Sequence, residues 1–205
     1  EVDYEEKESV AIDVKFFILD NSDLLNIFKQ RTISKPSSVV IWTTTPWTLP
    51  SNKSVAINKK LEYLLVEDDQ ENYIIAKDLY EKFCERTQKD LKILSSCIGL
   101  DLIGIKIKHP FLDNEIDIIE SNHVTTETGT GCVHIAPAHG SDDFVLGKKN
   151  NLEIINPILS NGIFSGIPSE LNNIHVYKLD EPVIELLIKN NTLVTKNKFR
   201  HSYPH

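Results

Sequence analysis

The sequence predicts an α+β fold that is mainly β, with a barrel-like β core and helices at its periphery. Many short runs of Val, Ile, Leu and Phe are separated by turn residues, as in a protein built from many short strands. Helical periodicity is confined to a few segments, which favours this arrangement over a doubly wound parallel sheet. The length of 205 residues suits one domain with flanking connectors.

The first half of the chain predicts five strands and two helices. Residues 9–19 alternate partly and are rich in Val, Ile and Phe, so they predict a strand on which Lys15 is exposed. Ser22 is a candidate cap for the short helix that follows. A second helix is predicted over residues 77–86, where apolar residues share one face. The other predicted strands cover residues 38–45, 54–58, 63–67 and 72–76.

The second half predicts further short strands and two more helices. Ser141 is a candidate cap for a helix that ends near Asn150. Residues 181–191 predict an amphipathic helix with Pro182 in its first turn. The predicted strands cover residues 91–94, 102–108, 115–120, 132–136 and 192–199.

Composition and charge exclude several classes of protein. A net charge of -8 argues against a wide nucleic-acid surface, although it leaves room for a pocket that takes one terminal nucleotide. Three cysteines without a C-x-x-C pair indicate a reducing compartment. The apolar runs are too short to cross a bilayer, and no signal peptide opens the chain. We expect the chain to be a segment of a larger protein.

The segment "GTGCVHIAPAHGSDD", residues 129–143, has three possible interpretations. It departs from both phosphate-loop patterns, because His134 stands at the third glycine position of G-x-G-x-x-G. As a metal site it has two histidines five residues apart, which matches no common zinc spacing. The plainest interpretation is a tight glycine turn followed by a core histidine. However, His139 follows a buried strand and precedes a helix, and binding groups gather at such junctions.

The segment "WTTTPWTLPSN", residues 42–52, ends a buried strand with hydroxyl groups and a large ring. Thr43 and Thr45 are expected to share one side of the strand, with Thr44 on the other. Threonine is common in strands for its β-propensity alone. Hydroxyls at a strand end beside Trp47 are also suited to lining a small polar pocket.

Together these two segments resemble the editing domain of isoleucyl-tRNA synthetases. The second segment is similar to that family's motif G-T-G-x-V-H-x-A-P-x-H-G-x-x-D. In the first segment, residues 43–48 are T-T-T-P-W-T, whereas valyl enzymes have T-T-R-P-E-T and leucyl enzymes have T-T-R-P-D-T. Thr45 thus stands in place of the arginine and Trp47 in place of the acidic residue. These two residues match the isoleucyl form. Ala138 and His139 resemble the bacterial or organellar type. Residues 4–16 and the terminal "HSYPH" look like the connectors to the synthetase core, so the resemblance covers essentially the whole chain.

The resemblance implies roles for five residues in hydrolysis. Asp143 matches the acid that holds the α-ammonium group of the substrate. His134 matches the histidine near the terminal adenosine, where we expect it to limit the pocket and to orient a ribose hydroxyl or the water. Thr43, Thr44 and Thr45 match the threonines that position water or stabilise the developing oxyanion.

Four further residues match substrate-binding positions of the family. Trp47 packs on the substrate or the adenine, and Asn52 matches another pocket position. His139 and Gly140 shape the loop. Asp143 also belongs to the expected substrate-binding residues. No nucleophile–base pair is evident, because Cys132 is expected to be a core residue. No metal site is expected.

The implied activity is hydrolysis of valine wrongly attached to the isoleucine tRNA. The implied partners are the 3′ end of tRNA(Ile) carrying valine and the rest of the synthetase, with no membrane. The isolated domain is expected to be a monomer, in the cytoplasm or in an organelle. Editing needs no cofactor, because ATP and Mg²⁺ belong to the synthesis domain. The implied boundaries are an outgoing connector at 1–20, the editing domain at 21–196 and a return connector at 197–205.

Two other functions remain possible from the sequence alone. The chain could bind the 3′ end of tRNA without hydrolysing the ester, or it could be a structural insertion in its parent enzyme. The intact residues of both motifs argue against a decayed site.

Overall fold

The computed structural model describes residues 4–204 and the side chains of residues 9–198. It contains ten strands and four α-helices in this part of the chain. The strands are β1 (Tyr4–Phe17), β2 (Ser37–Thr43), β3 (Ser54–Ile57), β4 (Glu62–Glu67), β5 (Asn72–Ala76), β6 (Lys92–Ile98), β7 (Lys106–Lys108), β8 (Glu115–Glu120), β9 (Cys132–Ile135) and β10 (Leu193–Pro204). The helices are α1 (Ser22–Ile27), α2 (Tyr80–Thr87), α3 (Ser141–Lys149) and α4 (Asp180–Lys189). None of these helices is long and apolar enough to cross a lipid bilayer.

The strands form two sheets. The larger sheet has the order β10-β1-β2-β5-β4-β6, and its neighbours are antiparallel except for the pair β2 and β5. The smaller sheet has the order β7-β8-β3-β9, in which β3 and β8 are parallel. This arrangement confirms the α+β class. The barrel-like core was too specific a prediction, because the two sheets keep open edges and do not close into a barrel. Among the described residues, Ile18, which directly follows β1, forms an isolated bridge with Ile107 of the smaller sheet.

One apolar core lies between the two sheets and α4. Its members alternate along the strands, because successive side chains point to opposite faces of a sheet. They include Ile12, Val14, Val39, Ile41, Leu65 and Ile74 of the larger sheet, Val55, Ile57, Ile107, Ile116 and Ile118 of the smaller sheet, and Val183 and Leu187 of α4. Because both sheets contribute to this close-packed core, their relative position is fixed. Residues from the two sheets that lie near each other therefore keep constant distances. The other face of the larger sheet is also buried, in a second cluster that includes Val40, Ile75 and Phe83 of α2.

Several local predictions were wrong for identifiable reasons. Lys15 is buried, because its ammonium group lies 2.8 Å from the carboxylate of Glu71. Ser22 and Ser141 are the first helical residues, and neither side chain caps its helix. The strand predicted over residues 102–108 is reduced to β7, since Gly104 has a φ of 84° and interrupts it.

The two predicted connectors lie side by side. β1 and β10 pair from Tyr4 opposite Pro204 to Val14 opposite Leu193, with one register shift beside Val14. The outermost predicted connector residues, Glu1–Asp3 and His205, lie outside the described residues. The domain boundaries at 20 and 197 remain predictions.

Candidate functional site

The predicted site residues lie on three neighbouring segments. The first is the end of β2 and a 3-10 turn over Pro46–Ser51, which we call the threonine turn. The second is β9, and the third is the loop between β9 and α3. β3 follows the threonine turn and pairs antiparallel with β9, so that Val55 lies opposite His134. This pairing brings the two sequence motifs together.

The three threonines differ in how their hydroxyl groups are used. The Oγ1 atoms of Thr43 and Thr45 are 3.2 Å apart, which confirms that they share one side. Thr43 is buried and its Oγ1 also accepts a hydrogen bond from the backbone N–H of Thr45. The hydroxyl of Thr44 makes no hydrogen bond within the described chain, and Thr45 is exposed. Thr44 therefore offers a hydroxyl with no partner in the described chain, and Thr45 an exposed hydroxyl that already contacts Thr43.

His134 is fixed in its ring orientation and its tautomer. The hydroxyl of Thr48 donates to the carbonyl of Thr45 at 2.9 Å, so it can only accept from His134 Nε2 at 2.8 Å. The amide of Asn52 donates to Nδ1 at 3.0 Å and to the carbonyl of Ser54 at 2.9 Å. The ring is thus neutral with its proton on Nε2, and it ties β9 to the middle of the threonine turn and to the residue that follows the turn.

Burial makes His134 unsuitable as a proton acceptor near neutral pH. Desolvation lowers its pKa to about 3, and the nearby imidazoles of His109 and His139 lower it further. Both ring nitrogens already have protein partners. His134 therefore supports the threonine turn, whereas its roles in limiting the pocket and in orienting a ribose hydroxyl or the water remain predictions.

Two residues outside the sequence motifs also hold the threonine turn. The backbone N–H of Trp47 donates to Asp180 Oδ1 at 3.0 Å, across 133 positions of the chain. His109 is buried, and its Nε2 lies 3.0 Å from the carbonyl of Leu49. Its Nδ1 accepts from two backbone N–H groups, so Nε2 carries the proton and donates. Asp180 and His109 were missed from the sequence because only the fold brings them to the turn.

Asp143 lies in the first turn of α3 and is half-buried. Its Oδ2 accepts a hydrogen bond from the backbone N–H of Ala136 at 2.9 Å, which closes the loop between β9 and α3. Desolvation raises its pKa, the Ala136 hydrogen bond opposes that rise, and Asp142 adds to it. A Cβ at Gly140 would lie 3.7 Å from the Asp143 carboxyl carbon, an ordinary contact, so Gly140 leaves this side of the carboxylate open.

Trp47 and His139 form one wall of a cavity of about 500 Å³. Their ring centroids are 4.9 Å apart with planes at 70°, in an edge-to-face contact. His139 Nε2 lies 2.9 Å from the hydroxyl of Ser51, and burial lowers its pKa. His139 therefore links the loop before α3 to the threonine turn, as predicted for a residue that shapes the loop. Asp180 also lines this cavity, whereas Asp143 lines a separate cleft of about 170 Å³.

The glycine turn before β9 packs tightly on the larger sheet. Gly129 and Gly131 have φ values of 80° and 78°, which confirms the predicted turn. A Cβ at Gly131 would lie only 2.3 Å from the Cβ of Ala76. Cys132 is a core residue as predicted, and burial raises the pKa of its thiol well above the usual range. The thiol is therefore protonated and cannot serve as a nucleophile.

We expect the two buried histidines to make the fold sensitive to acid. Burial lowers the pKa of His109 to about 4 and that of His134 to about 3. The unfolded chain takes up protons on both near pH 6.5, so their stabilisation is complete above that pH and is lost as the pH falls. For each histidine, the free energy of unfolding should decrease by up to about 1.4 kcal/mol for every pH unit by which the pH falls below about 6.5.

Urea unfolding at pH 7, 6 and 5 measures this slope. His109→Gln keeps a donor for the Leu49 carbonyl but cannot be protonated, so its slope should be smaller than that of the wild type. An identical slope for the two proteins would show that His109 does not contribute to acid sensitivity.

Comparison with known proteins identifies the family. The family model described as "Leucyl-tRNA synthetase, editing domain" matches residues 9–171. The whole chain matches the isoleucine–tRNA ligases of Marinomonas sp. (strain MWYL1), with 43% identity, and Legionella pneumophila (strain Paris), with 41%. It spans 22% of the length of each of these proteins.

Solved structures with the same fold carry little sequence similarity. The crystal structure of GlLeuRS-CP1 matches with a TM-score of 0.76 and 13% identity, over 95% of this chain and 98% of that one. The editing domain of the P. falciparum cytosolic leucyl-tRNA synthetase matches with a TM-score of 0.68 and 12% identity, over 91% and 98%. At this identity the match describes the fold alone. The chain belongs to the family of tRNA synthetase editing domains, and the two relatives named above, which match it along its whole length, are isoleucine–tRNA ligases.

Proposed function

We propose that the chain hydrolyses the ester of valine with tRNA(Ile), as the editing domain of an isoleucyl-tRNA synthetase. The observation that carries the proposal is the threonine turn, in which Trp47 lines a cavity with His139 and directly follows the segment that carries Thr44 and Thr45. Membership of the editing-domain family and the isoleucine–tRNA ligase relatives support it. The acceptor end of tRNA and the remainder of the synthetase would be the partners.

Hydrolysis at this site would depend on positioning rather than on a covalent intermediate. An aminoacyl ester is already reactive, so a water held in line with its carbonyl carbon could suffice. The hydroxyls of Thr44 and Thr45 would hold that water or donate to the oxyanion that forms on the ester carbonyl. Since the threonine turn is fixed by His134, His109 and Asp180, these donors need little reorganisation during the reaction.

Asp143 would hold the α-ammonium group of the aminoacyl moiety in the smaller cleft that it lines, apart from the cavity at Trp47 and His139. One of its oxygens is engaged by the Ala136 N–H, which fixes the carboxylate and leaves the other oxygen for the substrate. Because burial raises its pKa, the carboxylate would lose its charge at a higher pH than an exposed aspartate does. Ammonium binding would weaken accordingly as the pH falls.

The need for such a site follows from the small difference between the two amino acids. A single methylene gives only limited discrimination, and isoleucyl-tRNA synthetase is itself the standard example, at about 150-fold. A second pocket that admits valine but is too small for isoleucine removes the remaining errors. The net charge of -8 implies that this chain alone would bind tRNA weakly, with most of the contact made by the rest of the synthetase.

The ribose hydroxyl next to the ester is expected to assist the reaction. Both nitrogens of His134 are engaged by Thr48 and Asn52, so this buried imidazole cannot take a proton from the attacking water. A substrate whose neighbouring ribose hydroxyl is replaced by hydrogen should therefore be hydrolysed at least about tenfold more slowly. Single-turnover deacylation of the two substrates measures this, and equal rates would exclude assistance by the ribose.

A further inference from the structure

The threonine turn is held at two positions by groups from distant parts of the chain. The backbone N–H of Trp47 donates to Asp180 Oδ1, and the carbonyl of Leu49 accepts from His109 Nε2, both at 3.0 Å. We call these two hydrogen bonds the anchors of the turn. Asp180 begins α4, whereas His109 begins the loop of residues 109–114 between β7 and β8, which we call the His109 loop. The geometry of the turn therefore depends on how the His109 loop is held relative to α4.

Thr192 lies where these two segments meet. It is buried and stands between α4 and β10. Its hydroxyl lies 3.1 Å from the carbonyl oxygen of Pro110 and 3.2 Å from that of Leu187 in α4, and it donates its one proton to this pair of acceptors. Its backbone N–H donates to the same Leu187 carbonyl at 2.9 Å, and its own carbonyl accepts from the N–H of Lys15 in β1 at 2.7 Å. Thr192 thus joins α4, β1 and the His109 loop.

The hydroxyl is the part of Thr192 that reaches the His109 loop, since the two backbone hydrogen bonds go to α4 and β1. A cavity of about 370 Å³ opens beside this contact, and both Pro110 and Thr192 line it. Packing cannot replace the hydrogen bond on that side, because an open cavity provides no atoms for the loop to contact. Loss of the hydroxyl would also leave the carbonyl of the buried Pro110 without this donor. The loop is therefore expected to shift when the hydroxyl is removed.

We propose that Thr192 is a positioning residue for ester hydrolysis, because its hydroxyl fixes the His109 loop against α4 and so sets both anchors of the threonine turn. The inference rests on the proposed function and adds to it a residue outside both sequence motifs. A shift of about 1 Å in the groups that orient a reacting ester can lower the rate by about 100-fold. Thr192 lines neither the cavity at Trp47 nor the cleft at Asp143. Its loss should therefore slow the reaction without weakening the binding of the substrate.

The test compares Thr192→Val with Thr192→Ser in the complete synthetase that carries this chain. Valine keeps the shape of threonine but has no donor, whereas serine keeps the donor. Single-turnover deacylation of Val-tRNA(Ile) at increasing enzyme concentration separates the rate at saturation from the half-saturating concentration. Thr192→Val should lose about tenfold or more in the rate at saturation, with the half-saturating concentration unchanged. Thr192→Ser should hydrolyse the ester like the wild type.

Thr195→Val is the matched control, because it makes the same substitution three residues further along the chain. The hydroxyl of Thr195 accepts from Asn197 and contacts neither α4 nor the His109 loop, so the rate should stay at the wild-type level. Rates are compared at a temperature where thermal unfolding shows every variant to be folded. Hydrogen exchange of the threonine turn, measured by mass spectrometry, supplies a readout that needs no activity. Exchange should be faster in Thr192→Val and unchanged in Thr192→Ser and Thr195→Val.

Equal rates at saturation for Thr192→Val and Thr192→Ser overturn the inference, as does equal exchange of their threonine turns. If the wild-type synthetase hydrolyses the ester in that case, the proposed function stands and the anchors do not depend on Thr192. If the wild type does not hydrolyse the ester, the proposed function fails, and the positioning role of Thr192 fails with it.

Discussion

Replacing Arg86 by alanine is expected to lower the free energy of unfolding by about 3–5 kcal/mol. Arg86 holds Asp13 through two hydrogen bonds, from Nε at 2.9 Å and from Nη2 at 2.7 Å. The side chain of Asp13 is only 1% exposed, so the variant would leave an uncompensated charge inside the larger sheet. Nη2 also donates to the carbonyl of Gly129 at 3.3 Å, and the glycine turn before β9 would lose this support.

The size of this effect should depend on pH. Burial raises the pKa of Asp13, and the hydrogen bonds from Arg86 oppose the rise. Without Arg86 the folded-state pKa moves further above the unfolded value. A raised carboxyl pKa favours folding at low pH and opposes it as the pH rises, so the loss should be largest at pH 7 and should shrink toward pH 4.

Lys77→Ala is the matched control, because Lys77 forms an exposed ion pair with Glu62 at 2.7 Å. An exposed pair contributes little to stability, because both charges keep most of their contact with water. Denaturant unfolding of both variants at pH 7 and pH 4.5 compares them. If Arg86→Ala were no more destabilised than Lys77→Ala, the pair between Arg86 and Asp13 would not hold the sheet as the structure indicates.

Asp143→Asn is expected to reduce hydrolysis of valyl-tRNA(Ile) by about 10- to 150-fold while the fold is kept. A hydrogen bond to a charged group contributes about 1.5–3 kcal/mol, which corresponds to that range. The asparagine oxygen can still accept the Ala136 N–H, so the loop between β9 and α3 should keep its shape. The loss would then come from the missing charge opposite the substrate ammonium group.

Asp142→Ala provides a control at the adjacent position. Asp142 is exposed and lies in the same first turn of α3, so both variants remove one negative charge from the same helix start. Deacylation rates and thermal unfolding of the two variants separate the roles. Equal activity of Asp143→Asn and the wild type would remove Asp143 from substrate binding.

The predictability of the fold differs between its local and its long-range features. Apolar runs with β-branched residues located nearly every strand, since burial and chain stiffness act over a few residues. The pairing of β2 with β5 and of β3 with β8 is set by contacts between distant segments, and it produces two open sheets instead of a barrel. Lys15 shows the same limit, because its burial depends on Glu71, which lies 56 residues away.

The candidate site shows a similar division. The threonines, Trp47 and His134 stand in two compact motifs, which made the resemblance to the family visible in the sequence. Asp180 has no comparable motif around it, and only the docking of α4 against the threonine turn gives it a role. The sequence therefore identified the groups that would face the ester, whereas it could not identify the groups that hold them in place.

The most direct test of the central claim is deacylation of Val-tRNA(Ile) and Ile-tRNA(Ile) by the chain at high concentration. Our account predicts faster loss of valine than of isoleucine, with the difference abolished in Asp143→Asn. Equal loss of both amino acids would contradict a size-excluding pocket at the threonine turn. Loss of neither, in the chain and also in the complete synthetase that carries it, would contradict the proposed activity itself.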